Sequence, residues 1–326
     1  MCSTSAITLK KLPKIVFNSS TFVLWVEKYL FYPTFFQKIL SYLLLPFSFL
    51  YCAIVWWKRK KGESKKRSFG IPIISIGNLT VGGNGKTPFC IALAQEYTDA
   101  TIILRGYGRK SEGLIVISER GQVMCDAMAS GDEAMLYAKA LPHASVIVSE
   151  DREEAILLAK KRGTKIIFLD DGFSKSFIQK IDILVKPTPE PTNTFCLPSG
   201  PYREPKSLYE RADLVICEGE DFVRHVAIQY PTERMLLVTA ISKPSRLEPY
   251  LPQNLVGKVS FKDHYMYREK ELEALLHAYQ ATSILTTQKD AVKMATFDIP
   301  LSILKLDIEI SSTTKANINT LLASKR

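Results

Sequence analysis

Lys86 and Thr87 close a glycine-rich run, Val81-Gly82-Gly83-Asn84-Gly85, and the chemistry of the chain starts there. Such a run lets successive backbone N–H groups converge on one anion, and the lysine after it adds a mobile positive charge. A threonine hydroxyl next to that lysine is placed to ligate Mg²⁺. Ile73, Ile74 and Ile76 ahead of the run read as a buried strand. Pro88 just past it suits the first turn of a helix, where a missing N–H costs nothing. Strand, glycine turn, Lys-Thr and helix together predict a triphosphate cradle. The strict pattern wants a glycine five residues before Gly85, and Thr80 occupies that place. A glycine-rich turn with a chance Lys-Thr is the alternative, and the flanking strand and helix speak against it.

Carboxylates come next. The apolar run 166–169 ends in Asp170-Asp171-Gly172. Two adjacent carboxylates at a strand end are costly unless a cation neutralises them. Beside a Lys-Thr loop, they form the usual second half of a Mg²⁺-nucleotide site. In Ser130-Gly131-Asp132-Glu133, Ser130 and Glu133 have capping-box spacing. Residue chemistry alone therefore gives Asp132 to the positive end of a helix dipole. The other reading is a base that takes the proton of an attacking hydroxyl. Arg105-Gly106-Tyr107-Gly108-Arg109-Lys110 makes a basic loop at a strand end, where open α/β sheets bind ligands. A merely solvated loop fits its residues equally. Residues 197–205 form a proline-bounded loop in which Arg203-Glu204 is either a surface ion pair or an arginine aimed at phosphate.

The elements that must position these groups are continuous apolar runs at 101–104, 146–148, 166–169, 181–185 and 214–217, of the kind buried parallel strands use. A charged stretch at 218–224 is expected to begin a linker. Alternation restarts at Met235, with a Glu/Leu/Ala-rich helix at 269–279 and a strand at 284–287. The expected fold is α/β: a P-loop NTPase-like parallel sheet with helices on both faces, a smaller second α/β domain, and an N-terminal membrane-associated helical segment. The divisions expected are 1–67, 68–225 and 226–326.

The chain of 326 residues carries a net charge of +10. Residues 58–67 hold seven basic side chains and one Glu, so the other 316 carry only +4. That cluster follows nineteen uncharged residues, 39–57, ending in Trp56-Trp57. At about 1.5 Å per residue such a helix nearly matches a hydrocarbon core of roughly 30 Å. Basic residues beside an apolar segment point to a membrane surface and away from nucleic acid. Pro46 keeps a bent or in-plane helix open beside a full span, and a buried core hairpin is the third possibility. The positive-inside bias puts everything after Lys58 in the cytoplasm. Six cysteines without a C-x-x-C pair suggest neither a disulfide framework nor a zinc site.

In combination these motifs resemble the tetraacyldisaccharide 4'-kinase family of lipid A biosynthesis. The resemblance rests on residues 77–88 (GNLTVGGNGKTP), 105–110 (RGYGRK), 131–133 (GDE), 170–173 (DDGF), 197–205 (LPSGPYREP), 262–264 (KDH) and 286–293 (TTQKDAVK). In that family Thr80 is the norm. The resemblance implies transfer of the ATP γ-phosphate to the 4'-hydroxyl of a lipid disaccharide 1-phosphate at the cytoplasmic face of the inner membrane. It implies ATP and Mg²⁺; no obligate protein partner is inferred. Thr80 through Thr87 (Val81, Gly82, Gly83, Asn84, Gly85 and Lys86 between them) would hold the phosphates, with Arg203 beside them. Thr87, Asp170, Asp171 and Glu204 would manage the metal. Asp132 would be the base, assisted by His264, with Lys86 in the transfer itself. Arg105, Tyr107 and Arg109 would meet the substrate. The chain departs from the family where Ser174-Lys175 replaces the usual Gln-His after DDGF, and again over residues 240–247. Competing readings are a membrane-attached GTPase, against which the order Thr287-Gln288-Lys289-Asp290 counts, and a non-catalytic nucleotide-binding module.

Overall fold

The computed structural model describes residues 21–82, 85–109, 111–125, 130–241, 244–262 and 265–325. Its larger sheet uses β1 (Ile73–Gly77), β2 (Ala100–Leu104), β3 (Ile115–Glu119), β4 (Gln122–Val123), β5 (Ser145–Val148), β6 (Ile166–Asp170), β7 (Ile181–Val185) and β8 (Leu214–Ile216), in the order β4-β3-β5-β2-β6-β1-β7-β8. β3 and β4 run antiparallel at one edge, and the other six strands are parallel. One face is covered by α4 (Lys86–Ala94) and α5 (Asp132–Ala140), the other by α6 (Arg152–Lys161). Cover on both faces explains why β1, β2 and β6 are apolar and buried nearly throughout. β1 and β6 are neighbours, with Ile76 opposite Asp170. That register sets the glycine loop after β1 beside the Asp170-Asp171 pair.

A second sheet uses β9 (Phe222–Gln229), β10 (Met235–Thr239), β11 (Leu255–Ser260), β12 (Ser283–Thr287) and β13 (Leu301–Ile310), in the order β11-β10-β12-β13-β9. α7 (Glu269–Tyr279) packs on it, and the short α8 (Gln288–Ala291) follows β12. The charged stretch 218–224 carries the chain from β8 of the first sheet into β9 of the second. Asp221 there accepts hydrogen bonds from the Cys217 N–H and the Thr314 hydroxyl, which spends its charge locally. The last helix, α9 (Ser312–Ser324), leaves the second sheet and packs Ile318 and Leu322 into the core of the first.

Ahead of both sheets lie α1 (Thr21–Phe31), α2 (Phe35–Leu43) and α3 (Leu45–Glu63). The uncharged run 39–57 is not one helix: α2 and α3 meet at 56°. Pro46 is the cause, because a residue without an N–H belongs in a first turn and starts α3. No single described helix is long and apolar enough to cross a membrane, while the bent α2–α3 pair passes that test of length and composition jointly. The inner side of these helices is polar and bonded. Ser41 donates to the Ser199 carbonyl at 2.5 Å, Ser48 to Cys196 at 2.8 Å and Tyr51 to Arg203 at 2.8 Å. The outer side carries exposed Phe35, Phe36, Phe47, Phe49, Leu50, Trp56 and Trp57.

Candidate active site

β1 delivers the chain into Asn78, whose buried side chain organises the loop after it. Its amide donates to the Thr80 carbonyl at 2.9 Å, and its Oδ1 accepts from Lys86 Nζ and from Arg203 Nη2, both at 2.7 Å. Gly82 and Gly85 adopt φ of +87° and +82°, the left-handed region that a side chain resists. α4 starts at Lys86, with Thr87 in its first turn. Gly83 and Asn84, expected among the phosphate ligands, lie outside the described residues. The loop's leading half is zipped to residues 201–204: the Val81 N–H donates to Pro201 and the Arg203 N–H to Leu79. Thr80 and Tyr202 pair as an antiparallel bridge.

The Arg203 fork grips Asp171, each oxygen at 2.9 Å, and Lys86 Nζ stands 3.7 Å from Asp171 Oδ1. Burial works to raise the Asp171 pKa, but Arg203 and Lys86 outweigh it and hold the carboxyl below its ordinary range. Asp170 fares the opposite way. Burial first, then the Glu133 and Asp171 charges, push its pKa up to about 7 against the pull of Lys86. Among the described residues its Oδ1 is buried without a hydrogen-bond partner. An orphaned carboxylate oxygen in that setting fits a divalent cation: Asp170 and Thr87 are the groups that could hold one, with Asp171 joining where it releases an oxygen from Arg203. Glu204 is committed elsewhere: its carboxylate meets Arg59 of α3 at 2.9 Å. Burial raises its pKa, with Arg59 and Arg203 opposing.

The expected capping box does not form. Gly131 takes the N-cap with φ +82°, and the Ser130 hydroxyl turns to the Gly131 carbonyl. Asp132 stands at the head of α5, and its Oδ2 lies 2.9 Å from Lys293 Nζ, which comes from beyond α8 in the second sheet's half. Lys293 is fully enclosed and also lies 3.6 Å from Asp290. Asp290 is fixed in turn by the Thr239 and Thr287 hydroxyls and the Ala240 N–H. His264, expected to assist Asp132, lies outside the described residues.

In the basic loop Arg105 and Tyr107 are exposed. Arg109 turns inward to Glu150 and the Gly113 carbonyl, and its side chain is 2% exposed. The Tyr107 carbonyl and Arg109 back onto Gly131, so this loop adjoins Asp132. Arg224 of β9 reaches over the phosphate loop from the second sheet. Its Nη2 lies 3.0 Å from where a Cβ on Gly85 would be, and it pairs with Glu218 at 3.0 Å. Asn78, Lys293 and Arg224 were not singled out by sequence. Asn78 and Lys293 lie inside the stretches 77–88 and 286–293 that carry the resemblance, although neither was given a role, whereas nothing local marks Arg224.

A family model described as tetraacyldisaccharide-1-P 4'-kinase (LpxK) matches residues 40–325. A tetraacyldisaccharide 4'-kinase of Aliarcobacter butzleri is 53% identical over 88% of this chain and 93% of its own. One of Helicobacter acinonychis is 49% identical over 88% and 91%. Among solved structures, LpxK of Aquifex aeolicus, described as an "apo" form in complex with ATP, is 28% identical. It superposes with a TM-score of 0.73 over 88% of this chain and 99% of its own. On these matches, and on a phosphate loop facing paired aspartates, the chain belongs to the tetraacyldisaccharide-1-P 4'-kinase family.

Proposed function

We propose that this protein transfers the γ-phosphate of ATP to the 4'-hydroxyl of a tetraacyldisaccharide 1-phosphate in lipid A biosynthesis. The observation that carries the reading is the cluster at the ends of β1 and β6, where Lys86, Asn78, Asp171 and Arg203 interlock beside the buried Asp170. Lys86 and the loop amides grip the phosphates, and Arg203 fixes the loop. Asp170, Asp171 and Thr87 would hold Mg²⁺, which would supply charge neutralisation at the phosphate oxygens. Glu204 reaches that metal only by leaving Arg59. Asp132 takes the proton of the acceptor hydroxyl, with His264 assisting and Lys293 holding its carboxylate in line. Arg105 and Tyr107 meet the acceptor, while Arg109 keeps their loop in shape through Glu150.

The division of labour follows 1–67, 68–225 and 226–326, with β9 and α9 stitching the last two together. The exposed aromatic face of α1–α3 and the exposed lysines of the stretch 58–67 rest on the cytoplasmic leaflet of the inner membrane, so enzyme and lipid meet in one plane. The test is ATP-dependent phosphorylation of the lipid precursor by the full chain in mixed micelles. Wild type turns over, Lys86→Ala does not, and absence of turnover by the wild type refutes the reading.

A further inference from the structure

A cavity of about 410 Å³ lies between α3 and the loop that follows β6. Val55 and Lys58 stand on one wall, Ser174 and Lys175 on the other, and Asp171 and Arg203 form the end nearest the phosphate loop. The spacing of the walls is built in. Gly62 packs so closely on the second wall that a Cβ there would sit 2.1 Å from Ser176 Oγ. The Ser176 hydroxyl donates to the Arg59 carbonyl at 3.0 Å, and the Arg59 guanidinium lies 4.1 Å above the Phe173 ring.

The charges inside do not cancel. Asp171 is taken by Arg203 and Glu204 by Arg59. Lys58 and Lys175 enter no ion pair among the described residues, which leaves two positive charges facing the cavity. We propose that the cavity receives a phosphate monoester carried on the sugar of the lipid acceptor, with Lys58 and Lys175 meeting its two negative charges. The inference rests on the kinase reading, since the family's acceptor is named as a 1-phosphate. Burial first, then Arg152 and Arg105, depress the Lys175 pKa, so an incoming dianion relieves an existing repulsion. Lys58 directly follows the exposed Trp57, so the mouth opens at the level of the aromatic face. A headgroup therefore enters without leaving the interface. Ser174-Lys175 thus acquires a role: it places an ammonium on this wall of the cavity.

A free nucleotide phosphate offers the same chemistry, and kinetics separates the two sources. Wild type, Lys58→Gln, Lys175→Gln and the double variant are assayed as full chains in mixed micelles. The acceptors are the tetraacyl disaccharide 1-phosphate and the same lipid with a free 1-hydroxyl. Each single variant raises KM for the phosphorylated acceptor about tenfold, as loss of a charge-assisted contact predicts. KM for ATP and the melting temperature stay put. The double variant loses the wild type's preference for the 1-phosphate. A rise in KM for ATP with that preference intact gives the cavity to the nucleotide and overturns the proposal, as do constants that do not move. A wild type inert on both acceptors overturns the kinase reading itself.

Discussion

Asp132 and Asp170 show how one fold gives two carboxylates opposite situations. Asp132 is clasped by a buried ammonium, whereas Asp170 has burial and like charge against it. Lys293 ties Asp132 to Asp290 across the two sheets, and removing one partner of a buried pair leaves the other's charge uncompensated. Lys293→Met is therefore expected to lose about 3 kcal/mol or more in urea denaturation. Adding Asp132→Asn should restore part of that loss, and a double variant no more stable than the single would refute the coupling. Asp132→Asn alone should lower kcat by about 10²–10⁴ with ATP binding kept, as for a general base. Asp170 titrates in the folded protein at about 7, above the ordinary aspartate value of 3.8. Between those two pH values the native state holds a proton that the unfolded chain has lost. The carboxyl therefore favours folding at low pH, and that contribution disappears as pH rises through about 7. Asp170→Asn should raise Tm by a few degrees at about pH 8 in chelator and leave it unchanged near pH 4, while abolishing turnover. An equal shift at both pH values would show that burial of the charge is not the cause.

α3 is the element through which the N-terminal helices reach the chemistry. Its Ser48 and Tyr51 hold the carbonyls of 196 and 203, and its Arg59 holds Glu204, one residue past the arginine that grips Asp171. Arg59→Met leaves Glu204 buried without its cation and is expected to cost about 3 kcal/mol or more. Arg59→Met with Glu204→Gln should recover most of it in the same denaturation assay. Much of this arrangement is legible in the sequence. Continuous apolar runs point to the parallel strands, since burial on both faces demands them. Gly82, Gly85, Lys86 and the DDGF stretch point to the site, because few other uses exist for those residues at that spacing. Pro46 warns that 39–57 will bend. The pairing of Lys293 with Asp132 is beyond reach: the stretch 286–293 is legible as a motif, but only folding brings its last lysine to an aspartate 161 positions away. The strand that starts at Phe222 is hidden for a related reason, since the Asp221 charge before it reads as solvated until Thr314 and Cys217 donate to it. α9 likewise gives no hint that it returns to the first sheet, because an amphipathic helix does not name the core it joins.

At the scale of the whole molecule, the polar and apolar sides of α1–α3 divide two tasks. The polar side is spent on the loop that shapes the phosphate site, and the apolar side is left outward, where Phe36 is 80% and Phe49 70% exposed. An exposed apolar surface of that extent marks an interaction site, and the proposed occupant is an anionic membrane, which the exposed Lys58, Lys60, Lys61, Lys65 and Lys66 at its end would favour. On that proposal two forces would hold the protein down, and they separate by experiment. Replacing Phe36, Phe49 and Trp56 by Ser removes apolar contact worth about 1 kcal/mol each for partial insertion, a fraction of the ~1.5–3 kcal/mol of full burial. Sedimentation with vesicles containing phosphatidylglycerol should therefore show binding weakened about a hundredfold. Raising ionic strength should weaken wild-type binding separately, because charges at an anionic surface are screened within about 8 Å at physiological salt. The triple variant should keep its ATP affinity and its turnover on acceptor dispersed at high micellar density, since none of the three side chains reaches the phosphate loop. Vesicle binding that survives both treatments would mean that the aromatic face packs against something other than lipid, and the catalytic plane would have to be placed elsewhere.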